Sequence, residues 1–172
     1  MISKKIEEAF NKQIMEEENA SRIYLSMASW CDVNGYPGAA AFFHRQTQEE
    51  RFHALKFLQY INERGGHAKL ESLPQPTLEF KNIKEVFELS LEHEKYVTKC
   101  INNLYELAIE EKDYASQNWL NWFLEEQVEE ETSMNDILDK IELVRMDEDG
   151  KRGFFMLDRE LKELGDLPFD ED

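Results

Sequence analysis

The sequence predicts an all-α protein, a four-helix bundle with a long crossover between its second and third helices and a short fifth helix. In four long segments, apolar residues recur every three or four positions, which is the period of an amphipathic helix. Glycine, proline and asparagine clusters separate these segments. Near the middle of each apolar stripe stands a carboxylate, and this shared interruption is the best guide to the chemistry of the protein.

Two helices are expected in the first third of the chain. Ser3 is a suitable N-cap, and the first helix runs from it to about Asp32. The segment 34–38, Asn-Gly-Tyr-Pro-Gly, stops this helix, turns the chain and starts the next helix. The second helix runs to Arg64 and ends at the paired glycines 65–66. A turn this short makes the two helices an antiparallel hairpin.

A long connection precedes the second pair of helices. The segment 65–81 contains two prolines and lacks a helical period, and when extended it reaches about 50 Å, the length of the helices beside it. It therefore allows a crossover, in which the four helices run up, down, down and up. Asn82 caps a third helix that runs to about Lys112. Asp113 opens the fourth, which continues to Met146.

A short amphipathic segment closes the chain. The break at 147–150 ends the fourth helix, and the segment 150–165 has apolar residues at helical spacing: Phe154, Phe155, Leu157, Leu161 and Leu164. This helix is too apolar to be surrounded by water, so we expect it to pack on its own bundle or on a neighbouring subunit. Residues 166–172 form a tail whose end is expected to fray. We expect one domain over 1–172, with the four-helix bundle over 1–146.

Composition and charge exclude several classes of protein. At 172 residues, with 41% apolar and 12% aromatic residues, the chain can bury a core and is not disordered. Its formal net charge of −17 repels nucleic acid and anionic membranes, so neither is an expected partner, and it attracts metal cations. The charged start of the chain lacks a signal sequence, which favours the cytoplasm. Cys31 and Cys100 form no close-spaced motif and are expected to be reduced core residues.

The polar interruptions of the four stripes are Glu17, Glu50, His53, Glu94, Gln127 and Glu130. Pairing residues across the first turn sets Glu17 beside Glu50, and pairing across the second junction sets Glu94 beside Glu130. The interruptions of both hairpins therefore fall at mid-height and can meet in the core. Unpaired buried carboxylates each cost several kcal/mol, so four together would unfold an ordinary domain unless a positive charge neutralised them.

Two divalent cations would cancel the charge of four carboxylates, which predicts a dinuclear metal site. Glu50 and His53 are three positions apart and share a helical face, as do Gln127 and Glu130. Oxygen-rich ligation with one nitrogen suits iron(II) or manganese(II), whereas structural zinc sites favour cysteine and histidine, although zinc could still occupy this one. Inward glutamates combined with Glu-x-x-His are already known from di-iron carboxylate bundles.

At these residues the chain resembles the ferritins, and most closely the bacterial non-haem ferritins. The motifs that carry the resemblance span nearly the whole chain: Glu17 with Tyr24 seven positions later, the run Gln48–His53, the pair His93-Glu94, the run Glu126–Glu130, and a short helix after Gly150. A single Glu-x-x-His motif would be weak, but the combination is specific.

The resemblance implies a ligand set for a pair of iron ions. The first iron would be held by Glu17, Glu50 and His53, with Glu50 bridging to the second. The second iron would be held by Glu94 and Glu130.

Further residues would act beside this pair. Gln127 would lie next to it, and Tyr24 would be a nearby redox-active side chain, although a tyrosine at such a position is also a common core residue. A third iron site would use Glu49, Glu126, Glu129 and Glu130. The spacing of the first three of these also suits the solvent-exposed edge of two helices.

The implied activity is that of a ferroxidase. Paired iron(II) is oxidised by dioxygen or hydrogen peroxide, and iron(III) is deposited as a mineral inside a shell of twenty-four subunits. One departure favours storage over a fixed cofactor. Bacterioferritins and di-iron oxygenases carry a second Glu-x-x-His on the fourth helix, whereas this chain has Gln127-x-x-Glu130, so its second metal should be held less firmly. Phe52 replaces the methionine that holds haem in bacterioferritins, so no haem is expected.

Two alternatives remain open at this point. A di-iron oxidase or peroxidase acting on a small organic substrate would need an apolar access channel and a firmly held second metal. A metal-free helical interaction protein with acidic faces would melt identically before and after chelation. Several other residues are interpreted as surface or packing residues rather than ligands: His44, His67, His93, Trp119, Trp122 and Met134.

Overall fold

The computed structural model describes residues 1–145 and 150–167, without the side chains of 145 and 150–152. Within these ranges the chain forms five helices and no strand, which confirms the all-α prediction. The helices are α1 Lys4–Val33, α2 Pro37–Glu63, α3 Ile83–Glu110, α4 Tyr114–Arg145 and α5 Gly150–Gly165. The described helix ends lie within two residues of the predicted ones. Met146, residues 147–149 of the predicted break at 147–150, and residues 168–172 of the tail lie outside the described residues.

The predicted caps begin α1 and α3. Ser3 Oγ accepts a hydrogen bond from the Ile6 backbone N–H at 3.3 Å, and Asn82 Oδ1 accepts one from the Glu85 N–H at 3.0 Å. Each side chain satisfies a backbone donor that the first helical turn leaves without a partner. Gly65, with φ of 77°, turns the chain just after α2 in a conformation that favours glycine.

The start of α2 is capped by a residue from α5. Pro37 is the first helical residue, and the side chain of the preceding residue makes no capping bond. Instead, the Asp158 carboxylate accepts hydrogen bonds from the backbone N–H groups of Gly38 and Ala39, at 2.9 and 3.0 Å. A Cβ atom at Gly38 would lie 1.6 Å from the Asp158 carbonyl oxygen. The absence of a side chain at Gly38 therefore allows α5 to dock on α2.

Ion pairs at one end of the bundle show the direction of the helices. Lys5 at the start of α1 lies 2.9 Å from Glu111 at the end of α3, so these two helices are antiparallel. Arg64, just after α2, donates two hydrogen bonds to Asp113, between α3 and α4, at 2.9 and 3.0 Å. Because α2 and α3 end at the same side, they are parallel and the connection between them crosses the length of the bundle. The up, down, down, up topology is confirmed.

The crossover follows α1. Near the beginning of the crossover, the carbonyl oxygen of His67 accepts a hydrogen bond from Asn11 of α1 at 3.2 Å. Near the end of the crossover, the carbonyl oxygen of Thr77 accepts one from Ser26 Oγ of α1 at 2.6 Å. These bonds satisfy backbone carbonyls in a segment without helical structure of its own. No helix in the described part of the chain is long and apolar enough to span a bilayer.

The buried apolar residues form two clusters, one toward each end of the bundle. One cluster is built around Tyr24, Phe43, Phe87 and Ile137, and the other around Phe10, Phe57, Ile101 and Phe123. Each of the helices α1 to α4 contributes to both clusters, and each changes from one to the other at its predicted polar interruption. The polar layer therefore crosses the centre of the bundle.

Helix α5 has one covered face and one exposed face. Leu157 and Leu161 are buried against the first apolar cluster, whereas Phe155 and Met156 are 72% and 65% exposed. Of the two packing alternatives predicted for this helix, packing on its own bundle is the one observed within the chain.

Both cysteines are free thiols, as expected, but only one of them is fully buried. Cys31 lies in the core, and burial raises the pKa of its thiol to about 12. Cys100, on α3 beside Tyr96, is only half-buried.

Candidate metal centre

The six predicted core ligands all lie in the polar layer between the two apolar clusters. Every one is at least 94% removed from solvent, with exposures between 0% and 6%. Glu17 comes from α1, Glu94 from α3, and α2 and α4 each contribute two residues three positions apart. The polar interruptions of the four helices thus form a single cluster in space. Each helix turns its interrupted face toward the core, and the interruptions lie at the same height.

Three of these side chains converge on one point. Ligand atoms of Glu17, Glu50 and His53 all lie within 4.8 Å of one another. His53 Nδ1 is 3.3 Å from Glu50 Oε2, but the two atoms are not aligned for a hydrogen bond. An ion placed among the three groups would receive two carboxylate oxygens and one imidazole nitrogen, a ligand set that suits iron(II), manganese(II) or zinc(II).

Neutral side chains donate hydrogen bonds to the carboxylates of the polar layer. Gln13 Nε2 donates to Glu17 Oε1 at 2.9 Å, Gln46 Nε2 donates to Glu130 Oε2 at 2.9 Å, and Gln127 Nε2 donates to Glu94 Oε2 at 3.1 Å. The Tyr24 hydroxyl donates to the second oxygen of Glu94. These bonds fix the orientation of the carboxylates without neutralising them, so their charge remains available to cations.

Several buried atoms of the cluster are left without partners among the described residues. Glu17 Oε2, Glu50 Oε2 and His53 Nε2 are buried and make no hydrogen bond. A buried polar atom without a partner is costly and rare in a folded protein. Since Glu17 Oε2 and Glu50 Oε2 belong to side chains that converge with His53, a cation bound among the three side chains would give these oxygens a partner.

Burial dominates the electrostatics of the metal-free layer. It raises the pKa values of the Glu17, Glu50, Glu94 and Glu130 carboxyls, and repulsion between neighbouring carboxylates adds to the rise for Glu17, Glu50 and Glu130. Burial also raises the pKa of Tyr24, and the adjacent Glu94 carboxylate raises it further. Each carboxyl must therefore be protonated or compensated by a cation, and divalent ions would provide this compensation at neutral pH.

A second acidic group lies at the edge of the bundle between α2 and α4. Ligand atoms of Glu49, Glu126 and Glu130 lie within 4.8 Å of one another, and Glu130 belongs to the central layer as well. The group opens into a cavity of about 350 Å³ that α5 partly covers. Glu129, predicted from the resemblance as a further ligand of this site, is exposed on the cavity wall and lies outside this group of three.

Aromatic side chains surround the layer. Trp122 was predicted as a core residue only, but its ring is 5.4 Å from that of His53, so it also borders the candidate ligands. His93 lies between Tyr24 and Tyr96, with ring centroids 6.1 and 6.2 Å away, and burial lowers its pKa to about 4. His93 is therefore a neutral packing residue, as predicted.

The sequence analysis missed the supporting roles of two glutamines. Gln13 precedes Glu17 by four positions, a spacing at which helical side chains meet, so its contact could have been predicted. Gln46 lies on the interrupted face of α2, four positions before Glu50, but its partner Glu130 is 84 positions away. Only the packing of α2 against α4 reveals that contact.

The fold and the site define a class of protein: four-helix bundles whose core can hold metal ions through carboxylates. The family model Ferritin, described as a ferritin-like domain, matches residues 7–144, and the chain belongs to this family. It is 42% identical to the bacterial non-heme ferritin of Staphylococcus aureus over 172 residues, which is 100% of both chains. It is 41% identical to that of Campylobacter jejuni over 164 residues, covering 95% of this chain and 96% of the relative.

Solved structures show the same likeness. An open pore ferritin from the hyperthermophilic archaeon Archaeoglobus fulgidus superimposes with a TM-score of 0.90 at 43% identity, covering 94% of this chain and 98% of the archaeal one. The resemblance found in the sequence is therefore confirmed over nearly the whole chain.

Proposed function

We propose that this protein stores iron and is a ferroxidase, which oxidises iron(II) with dioxygen or hydrogen peroxide and deposits iron(III) as a mineral inside a shell of identical subunits. The observation that carries the proposal is the convergence of the Glu17, Glu50 and His53 side chains in a buried layer between two apolar clusters, where Glu17 Oε2 and Glu50 Oε2 have no hydrogen-bond partner. Without a bound cation this arrangement only destabilises the fold, so its presence favours ion binding over a metal-free scaffold.

The first iron ion is assigned to Glu17, Glu50 and His53. Glu50 is the bridge to the second ion, since its carboxyl interacts with Glu17 on one side and with Glu94 on the other. These residues hold the ion in a site closed to solvent. Iron(III) formed there is therefore not released directly into bulk water.

The second iron ion is assigned to Glu94 and Glu130. Gln127 and Gln46 orient these carboxylates but add no anionic ligand, and α4 carries the Gln127 amide three positions before Glu130, where a second Glu-x-x-His motif would supply a stronger ligand set. Fewer strong ligands make the second ion easier to release, which suits an ion that is passed on after oxidation. Tyr24, in contact with Glu94, is placed to supply an electron during the reaction.

A third ion is assigned to Glu49, Glu126 and Glu130, with Glu129 approaching from the cavity wall. Because Glu130 belongs to both groups, it connects the buried pair with the cavity. Six carboxylates line this cavity against two basic side chains, so the cavity attracts cations. This favours storage over the di-iron oxidase or peroxidase alternative.

The shell is proposed to contain twenty-four subunits and to be cytoplasmic. Two features of the chain support assembly and mineral deposition. The exposed apolar face of α5, with Phe155 and Met156, is available to a neighbouring subunit. The surplus of acidic residues, 37 against 20 basic ones, can attract iron ions when it lines an enclosed space.

Sedimentation combined with iron analysis after aerobic loading tests the proposal. Twenty-four chains of 20.4 kDa form a particle of about half a megadalton. We expect such a particle to retain far more than three iron ions per chain. A small oligomer that retains three or fewer would contradict the storage function, and a melting temperature unchanged by chelation and iron(II) would support a metal-free scaffold.

A further inference from the structure

Arg45 on α2 lies at the mouth of the edge site formed by Glu49, Glu126 and Glu130. Its Nη1 donates to Glu49 Oε2 at 2.9 Å, and its Nη2 lies 3.5 Å from the other oxygen of the same carboxylate. The side chains of Arg45 and Glu49 are only 22% and 8% exposed, so this is a largely buried ion pair. A cation of the protein itself therefore occupies the outer side of Glu49.

The same guanidinium is also bonded to the end of the fifth helix and to the polar layer. Arg45 Nε donates to the carbonyl oxygen of Leu167, just beyond α5, at 3.3 Å, and Nη1 lies 3.3 Å from Gln46 Oε1. Gln46 in turn donates to Glu130. Arg45 thus connects the end of the α5 segment, which covers the cavity, with two of the three carboxylates of the edge site: Glu49 directly and Glu130 through Gln46.

We propose that Arg45 is the internal counter-ion of the edge site, and that a divalent ion can bind Glu49 there only when Arg45 releases that carboxylate. The proposal rests on the third iron site assigned above. The guanidinium and the metal ion compete for the same oxygens, so Arg45 lowers the affinity of this site. In the empty protein Arg45 offsets the repulsion among the three carboxylates, and the Leu167 carbonyl holds it in place.

Competition of this kind distinguishes the edge site from the central one. Around Glu17 and Glu94 the hydrogen-bond donors are neutral amides and a hydroxyl, which do not compete with a cation. At Glu49 the donor is a permanent positive charge. Arg45 therefore makes the edge site the last to fill and the first to empty, as a transfer site requires.

Zinc(II) is a redox-silent probe for this competition. Calorimetric titration of the metal-free assembled protein should show two tight ions and one weaker ion per chain. In the Arg45→Gln variant we expect the weaker ion to bind about tenfold more tightly, because removing a nearby positive charge favours the cation by on the order of 1.4 kcal/mol. The two tight ions should be unaffected.

Arg51→Gln is the matched control. Arg51 lies on the same helix, and it donates to Glu18 on the outside of the bundle instead of to an edge-site carboxylate. We expect this variant to titrate like the unmodified protein. An unchanged or weakened third ion in Arg45→Gln would overturn the proposal.

A crystal of the unmodified protein soaked in zinc(II) provides a test that needs no variant. We expect an ion at the edge site and the Arg45 guanidinium displaced from Glu49. An ion bound there with the Arg45–Glu49 pair intact would overturn the proposal. If the unmodified protein binds no third ion at all, the assignment of a third site under the proposed function fails instead.

Discussion

Three glutamine amides act on the buried carboxylates of this protein. Gln13, Gln46 and Gln127 each donate to one oxygen of a glutamate in the polar layer. A lysine or arginine in their place would make a stronger bond but would also neutralise the charge that a metal ion needs. A neutral donor fixes geometry without competing. The charged donor at Glu49 is the exception, which is why Arg45 is expected to weaken cation binding where the amides do not.

Replacement of Glu50 by alanine tests the proposed bridge. The variant loses a ligand that both iron ions share, so we expect iron(II) oxidation to slow by about a hundredfold, at the upper end of the losses caused by removing supporting ligands. Stopped-flow absorbance after mixing with oxygenated buffer measures the rate, and sedimentation should show intact assembly.

Glu129→Ala is the comparison for that experiment. Because Glu129 is exposed on the cavity wall, its loss should leave the paired ions bound and alter only the third. A normal rate of iron(II) oxidation by Glu50→Ala would show that Glu50 is not a ligand of the paired ions. Loss of both paired ions in Glu129→Ala would contradict the division between the two sites.

At the scale of the helices, the contact between α2 and α5 depends on two glycines. A Cβ atom at Gly38 would overlap the backbone of Asp158, and one at Gly165 would lie 2.4 Å from the backbone carbon of Ala41. This close approach brings the Asp158 carboxylate to the N-terminus of α2, where the free N–H groups and the helix dipole favour an anion. It also places the end of α5 over the edge site.

Gly38→Ala should therefore loosen α5. The added methyl group meets backbone atoms, which cannot move aside as a side chain can, so we expect a destabilisation of about 1–3 kcal/mol localised at this contact. Hydrogen exchange measured by mass spectrometry should show faster exchange in α5 and at the start of α2, with α3 protected as before.

Gly153→Ala, on α5 itself, provides the control. The three atoms nearest to a Cβ atom there belong to the side chain of Val144, at 3.2 to 3.6 Å, and this side chain can adjust. Its effect on exchange should be smaller. Equal exchange in Gly38→Ala and the unmodified protein would show that the contact does not hold α5.

At the scale of the whole molecule, a charged layer divides the hydrophobic core in two. The apolar clusters on either side stabilise the bundle, while the layer between them destabilises it whenever its carboxyls are ionised and no metal ion is bound. Folding and metal binding are therefore coupled, since an ion that binds only the folded protein stabilises it.

This coupling predicts the pH dependence of the metal-free protein. Burial raises the pKa of Glu50 above its ordinary value of 4.5, so the folded state retains a proton that the unfolded chain releases above that pH. The folded state then binds more protons than the unfolded state, and the stability conferred by the protonated carboxyl is lost as pH rises through the folded pKa. We expect the melting temperature in chelator to fall as pH rises above 4.5, the ordinary pKa of a glutamate.

Two variants isolate the contribution of the layer. Glu50→Gln removes one of the titrating groups and should reduce this slope, whereas Glu129→Gln changes an exposed carboxylate and should leave it unchanged. Zinc(II) should reverse the slope of the unmodified protein, because the ion binds ionised carboxylates and is held more tightly as pH rises. Equal slopes for the unmodified protein and Glu50→Gln would show that the layer does not control the pH dependence.

The sequence was sufficient to predict the helices, the caps of α1 and α3, and the six candidate ligands that lie in the polar layer. Periodicity identified the buried face of each helix, and Ser3, Asn82 and Gly65 marked helix ends through local chemistry that needs no partner from elsewhere in the chain. Contacts between distant residues were not predictable in the same way. The pairing of Gln46 with Glu130 and the capping of α2 by Asp158 join residues 84 and 120 positions apart.

By itself, the sequence determined that four amphipathic helices would place carboxylates at a common height, because side-chain direction along a helix follows from residue spacing alone. Only the tertiary structure decided which carboxylates meet, which of their atoms lack a partner, and that Arg45 rather than a neutral amide faces Glu49. These outcomes depend on the rotation and offset of one helix against another and on where α5 docks. Packing of the complete core sets those quantities, and no local pattern encodes them.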